Sequence, residues 1–260
     1  MAIFKLSEES FIKIKNENKT IKIIKKAAFD NFNEDILGLG KLTTKSITIQ
    51  ALSVIFDLEG FTDFCKQIDP QLGVPEYLNK FLQWTFNEIK SVLTNETYDE
   101  GYKTWADLPF FSKFLGDGIL FLWNTENMSD INIRNVVVAM GEICENYILD
   151  FLPSIKKDII SPPTKLRCGI ARGAIYSVGN GSDYIGPCIN MSARLQKLNS
   201  LSFSFSRRGI DPTKFSDQVK DTFVTKKVNI RGIGNQELVC ILKEEFNNLQ
   251  APQKKEFFEI

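Results

Sequence analysis

The 260-residue sequence contains no histidine. That excludes catalytic triads built on imidazole and histidine-ligated metal centres, and leaves carboxylates, lysines, arginines and bound cations to carry chemistry. Cysteine is scarce as well. Cys65, Cys144, Cys168, Cys188 and Cys240 are odd in number and show no C-x-x-C spacing, so neither a disulfide framework nor a zinc site is expected. No apolar run approaches the ~18 residues a membrane span needs, and "MAIFKLSEES" lacks the charged-then-apolar layout of a secretory signal. The expected location is the reducing cytoplasm, off the membrane. Net charge is also missing: 32 Lys and Arg balance 32 Asp and Glu, which gives no standing attraction to nucleic acid or an acidic surface. Any anion site must be local. There is no G-x-x-x-x-G-K-[ST] phosphate loop, no internal repeat and no low-complexity linker.

What is present suits one large domain with extensions, because 43% hydrophobic residues can build a sizeable core. Residues 1–45 form a mixed extension in which "IKIKNENKTIKIIKK" alternates isoleucine with lysine, as a solvated edge strand or an amphipathic helix would. Residues 46–242 form the main domain. A strand is expected over 47–58, and a helix over 70–93, where Val74, Tyr77, Leu78, Phe81, Leu82, Phe86, Ile89 and Val92 keep helical spacing. "FFSKFLGDGILFLW", residues 110–123, is a hairpin closed by Gly-Asp-Gly. A second helix follows over 131–151, closed by Pro153, and 165–179 reads as strand, glycine turn, strand. Gly186-Pro187 opens a third helix to about 199. Short strands surround Phe203, Val228 and Val239, and residues 243–260 are a polar tail expected to fray. "TNETYDEGYKTWADLP", residues 94–109, fits no regular element. Strand, helix, hairpin, helix, strand is the order of a split βαβ unit, so the expected fold class is α+β: a ferredoxin-like βαββαβ core with helices on one face of an antiparallel sheet.

Two carboxylates stand out. Asp57 ends the buried-looking run "LSVIFD", and Asp117 occupies the hairpin turn 60 residues later. In a ferredoxin-like sheet that strand and hairpin are neighbours, so both acids reach one point. Paired carboxylates repel unless one is protonated or a cation sits between them, and magnesium or manganese would serve. Asp in Gly-Asp-Gly is also ordinary turn chemistry. Past Asp57, "DLEGFT" places the amides of Phe61 and Thr62 after Gly60, an arrangement suited to phosphate oxygens. Asn190 and Arg194, at i and i+4, share one face of the third helix.

"FDLEGFT", "KFLGD" and "DYIGPCINMSARL", in that order, resemble the signature blocks of the class III nucleotidyl cyclase catalytic domain, and "VNIRGIGNQELVCIL" resembles its closing strand pair. The likeness spans roughly Ile47 to Leu242. It implies conversion of a nucleoside triphosphate to its 3′,5′-cyclic monophosphate and pyrophosphate, with two divalent cations, Mn2+ or Mg2+, per site. By resemblance, Asp57 and Asp117 hold the metals with the carbonyl of Leu58. Lys113 and Asp183 contact the base, Asn190 orients the ribose and Arg194 meets the phosphate; Arg231 aligns loosely with a phosphate-binding lysine. The family splits these groups across two subunits, which implies a homodimer with composite sites.

The resemblance argues against guanine, because the family's guanylate cyclases carry other residues at the positions of Lys113 and Asp183. Among the remaining bases, a lysine beside a carboxylate complements adenine, cytosine and uracil alike. Phe56 and Phe121 stand where the family usually has small residues. Their bulk favours a pyrimidine if it faces the pocket, and is ordinary core if strand alternation turns it away. The blocks most resemble the stand-alone pyrimidine cyclases of bacterial antiphage defence, the Pycsar system. That likeness implies UTP as substrate, cyclic UMP as product and a separate effector protein as its target. Cytidylate and adenylate cyclases remain alternatives, as does an inactive cyclase-like nucleotide-binding module.

Overall fold

The computed structural model describes residues 7–16, 19–97, 104–198 and 200–260. In chain order its strands are β1 (Phe11–Asn16), β2 (Lys19–Ile24), β3 (Thr48–Glu59), β4 (Thr94–Thr97), β5 (Thr104–Ala106), β6 (Phe111–Phe114), β7 (Gly118–Asn124), β8 (Lys165–Val178), β9 (Asp183–Ile185), β10 (Phe203–Ser206), β11 (Phe223–Ile230), β12 (Gly234–Leu242) and β13 (Phe257–Phe258). The long helices are α1 (Pro70–Leu93), α2 (Asp130–Asn146) and α3 (Pro187–Leu195). None is long and apolar enough to cross a membrane, among the described residues. The chain divides into two compact units, one holding residues to Thr48 with Tyr176–Ile185, the other Ile49–Ile175 with Gly186–Ile260.

In the first unit the lysine–isoleucine alternation becomes an antiparallel hairpin of β1 and β2, with Ile12 opposite Ile23 and Lys13 opposite Lys22. Period-two alternation sorts the two residue types onto opposite strand faces, which decides for strand over helix. Ser177, near the end of β8, accepts from the amide of Ile47 and receives the hydroxyl of Ser46 on its carbonyl, each at 2.8 Å. Gly179 must be glycine: its φ is +59°, and a Cβ there would stand 1.6 Å from the Leu39 carbonyl oxygen. β9 pairs with the last residues of β8.

The second unit is a mixed α+β layer structure of the expected class. Its sheet runs β13-β11-β12-β10-β8-β3-β7-β6. Leu52, Val54, Phe56 and Leu58 of β3 turn to one side, into a core with Tyr77 and Phe81 of α1 and Val137 and Met140 of α2. Tyr77 and Tyr147 share a buried hydroxyl contact of 2.7 Å, and burial pushes both phenols far up.

Two details depart from a purely antiparallel sheet with helices on one face. β8 and β10 are parallel, and α3 lies on the other face. Cys168 and Ile170 belong to the core, so Gly169 between them faces away from it, and a Cβ there would stand 2.2 Å from the Ser192 carbonyl of α3. Residues 165–178 are accordingly one continuous strand rather than strand, turn, strand. Gly169 serves close helix approach. Pro153 likewise does not close the second helix: the backbone stays helical past α2 through a π-helical segment, Tyr147–Phe151, and on through Leu152–Ile155, so Pro153 lies within a continuing helical run just after the wider π turn. The segment 94–109 contributes an antiparallel pair, β4 with β5, whose connection lies outside the described residues. The polar tail is ordered by two short helices and by β13, which pairs with β11 and buries Phe257.

Candidate active site

The Gly-Asp-Gly hairpin is built to set Asp117 beside the end of β3. Gly116 takes φ +99° to turn the chain, and Gly118 is the register partner of Asp57. A Cβ on Gly118 would stand 2.3 Å from the Phe56 carbonyl oxygen. No side chain but hydrogen fits there. The amide of Leu58 donates to the carbonyl of Asp117 at 3.1 Å, which locks the hairpin turn to the strand end. The two carboxyl-bearing residues are therefore neighbours, as their spacing suggested.

Asp57 is only 4% exposed, so its charge needs a partner. That partner is Arg167 of β8, whose Nη2 donates to Oδ2 of Asp57. Both side chains are largely buried, and such a pair offsets the desolvation of each ion only while it remains intact. The pairing is incomplete. Among the described residues Nε of Arg167 is buried without a hydrogen-bond partner, as is Oε2 of Glu59, two residues beyond Asp57 and hence on the same side of β3. Sequence motifs left Arg167 unassigned. A signal was nonetheless present: Arg167 interrupts the core residues Leu166 and Cys168, so it faces away from the core, on the strand beside β3.

Helix α3 is seated on this face by small residues. Ser192 Oγ donates to the Ser53 carbonyl at 2.8 Å, Ser204 Oγ to the Leu195 carbonyl at 3.1 Å, and Gly169 admits the helix backbone. Its outward residues Asn190 and Arg194 then line a cleft of about 470 Å3 together with Asp57, Asp117 and Arg231. Arg231 stands in the turn between β11 and β12, beside Gly232 at φ +79°. Gln196 and Lys197 border the same cleft, and no motif had marked either. Three cations thus face two carboxylates, a charge pattern suited to a polyanion accompanied by a metal ion.

The other expected residues are not gathered there. Lys113 lies on the exposed strand β6. Phe61 and Thr62 open a four-residue helical turn after Gly60, whose φ is +84°, and neither borders the cleft. Asp183 begins β9 in the other unit and accepts from the Tyr184 amide at 2.9 Å. Phe56 borders the cleft, yet its ring is wholly buried in the core, edge-on to Phe121 at 6.2 Å. Strand alternation turned both rings into the core, so their bulk is no argument for a pyrimidine. Among the described residues no group of three or more carboxylate or thiol side chains could hold a metal by itself.

No protein-family model and no curated protein matches the chain. Solved structures do. The adenylyl cyclase CyaB from P. aeruginosa is 13% identical, with 76% of this chain and 95% of that one covered and a TM-score of 0.55. The guanylyl cyclase Cya2 is 16% identical over 76% and 94%, with a TM-score of 0.54. The guanylate cyclase domain of RhGC from Catenaria anguillulae, in complex with GTP, is 16% identical over 75% and 97%, with a TM-score of 0.51. At these identities the likeness establishes the fold, that of the class III cyclases.

Proposed function

We propose that the chain is a nucleotidyl cyclase that converts a nucleoside triphosphate to its 3′,5′-cyclic monophosphate and pyrophosphate. The observation that carries this reading is the single cleft that collects Asp57, Asp117, Asn190, Arg194 and Arg231 on a cyclase fold. The donor set fits a hard divalent cation: Asp57 and Asp117, with the Leu58 carbonyl, would supply some of its oxygens, and substrate and water would supply the rest. A further carboxyl oxygen, Oε2 of Glu59, is buried on the same side of β3 with no hydrogen-bond partner among the described residues. When bound, such ions would acidify the 3′-hydroxyl and neutralise the triphosphate.

The chain's own residues do the remainder. Asn190 holds the ribose so that O3′ lies in line with the α-phosphorus, the positioning on which an intramolecular attack depends. The new bond joins O3′ to that phosphorus, while the bond from it to the bridging oxygen breaks. The hydroxyl proton passes to solvent. Arg194, Lys197 and Arg231 hold the charge that gathers on the departing pyrophosphate. Lys113 and Asp183 read the base by family likeness, outside the group that lines the cleft in one chain. A homodimer in which a second copy completes each site accommodates that division.

The substrate we propose is UTP, on the likeness of the sequence blocks to stand-alone pyrimidine cyclases; the cyclic UMP made would then act on a separate effector in antiphage defence. Incubation with each of four triphosphates and Mn2+, read by mass spectrometry, tests both levels. Cyclic UMP as dominant product is expected. Cyclic AMP or cyclic CMP would retain the cyclase and overturn the base, and no cyclic product from any triphosphate would overturn the enzyme. Mixing Asp57→Ala and Asp183→Ala chains should restore activity, because one site of each mixed dimer then has an intact cleft from one copy and an intact Asp183 from the other.

A further inference from the structure

A second cleft, of about 240 Å3, lies at the other end of the same sheet. The Gln50 carbonyl accepts from the amide and the hydroxyl of Thr125, at 2.8 and 3.0 Å, and Thr125 Oγ1 accepts from Nε of Arg172 at 3.1 Å. Arg172 lines the cleft. Gln50 precedes Asp57 by seven residues of β3. At the rise of a strand that is roughly 23 Å. All the residues concerned belong to the second unit.

The lining is unbalanced in charge. It carries Arg134 of α2, Arg172 of β8, Arg207 just past β10, and Lys214, against Asp130 and Asp211. Lys214 reaches Asp130 at 3.4 Å, and the carboxylate of Asp211 accepts from the amide and hydroxyl of Thr213 at 3.1 and 2.8 Å. Both acids are thus engaged, although Asp211 still lies near Arg207. The three guanidiniums have no carboxylate within ion-pair distance among the described residues. Arg134 donates Nε to the Asp130 carbonyl at 3.0 Å, Arg172 donates Nη1 to the Gly209 carbonyl at 3.2 Å, and Arg207 has no side-chain hydrogen bond within the described chain.

Three half-buried guanidiniums around one small cleft repel each other, and partial burial weakens the screening that would relieve them. Guanidinium forks match tetrahedral oxyanions bidentately, and three of them call for a ligand with at least two negative charges and three or more oxygens. A cleft half the volume of the active-site cleft fits one or two phosphoryl groups rather than a whole nucleotide. We propose that this cleft binds a small phosphate anion, inorganic phosphate or pyrophosphate, separately from the active site. The proposal does not depend on the cyclase reading.

The test uses the full chain carrying Arg194→Ala and Arg231→Ala, which removes phosphate-holding cations from the active-site cleft. Titration with phosphate and, separately, pyrophosphate is followed by calorimetry and by melting temperature. At least one of the two anions should bind with a stoichiometry of one per chain and raise the melting temperature. Adding Arg134→Gln and Arg207→Gln should weaken that binding at least tenfold, as the loss of two charge-assisted contacts requires. The same pair of changes should leave the anion-free melting temperature unchanged or raised, because repulsion is relieved. Arg207→Lys, which keeps the charge but not the fork, should bind with intermediate affinity and serves if the double glutamine variant misfolds. Absence of binding by both anions at millimolar concentration, or unchanged affinity in the glutamine and lysine variants, would overturn the site.

Discussion

The two ends of β3 handle charge in opposite ways. At the Asp57 end a buried carboxylate meets Arg167 from the adjacent strand, so the sheet neutralises its own ion. At the Gln50 end three guanidiniums crowd a cleft whose carboxylates are otherwise engaged. A buried pair of opposite sign is a structural solution until a ligand competes for one member. A surplus of one sign is a vacancy for a ligand of the other.

The sharpest way to break that contrast is Asp57→Asn, which removes the carboxylate and strands Arg167. We expect cyclisation to fall about 10³-fold, by analogy with the loss of a group that stabilises transition-state charge, in steady-state assays. Urea unfolding should show a destabilisation of about 3 kcal/mol, because an unpaired charge remains buried. Asp117→Asn separates the two roles: a similar loss of activity with stability changed by less than about 0.5 kcal/mol, since its carboxylate makes no hydrogen bond or ion pair within the described chain.

Gly169→Ala comes next. Its Cβ would meet main-chain atoms of α3, at 2.2 Å from Ser192 O and 2.4 Å from Gln196 N, so the helix must shift. About 1–3 kcal/mol of stability should be lost. Activity should fall with it as Asn190 and Arg194 move, and normal kcat in a destabilised variant would show that α3 need not be seated so closely.

Arg167→Met frees Asp57 from its internal cation. Calorimetric titration should show Mn2+ binding about tenfold tighter than in the parent protein, the scale on which ligand-orienting partners act. Unchanged affinity would mean the arginine and the metal do not compete. Smaller still is Lys197→Ala, at the exposed rim of the cleft: kcat should fall only a few-fold with KM within about twofold, because a solvated cation contributes little to holding the charge on the departing pyrophosphate. Finally, alkylation at pH 8 should label Cys65 first among the five cysteines. The others are buried, and burial pushes the Cys188 and Cys240 thiols up to about 11.

Helical spacing in 70–93 and the apolar run before Asp57 were legible because period alone separates helix from strand, and α1 and β3 fall where those patterns place them. Gly-Asp-Gly was legible as a turn for the same local reason. Gly169 was not, since a glycine that turns a chain and one that admits a helix look alike in sequence; only the packing of α3 tells them apart. The tail from Lys243 misled in the same way, its polar composition hiding the one phenylalanine that β13 buries.

By itself the sequence determined the inventory: chemistry without imidazole, two acids that neighbouring elements could unite, and an Asn–Arg pair on one helix face. Those properties are local, set by residue type and by spacing along one element. Tertiary structure alone decided that Arg167 compensates Asp57, that Phe56 and Phe121 serve the core rather than the pocket, and that Arg134, Arg172 and Arg207 meet around one cleft. Each of these joins residues far apart in the chain through sheet order and helix packing, and burial of charge, which sets their energies, exists only once those layers have closed.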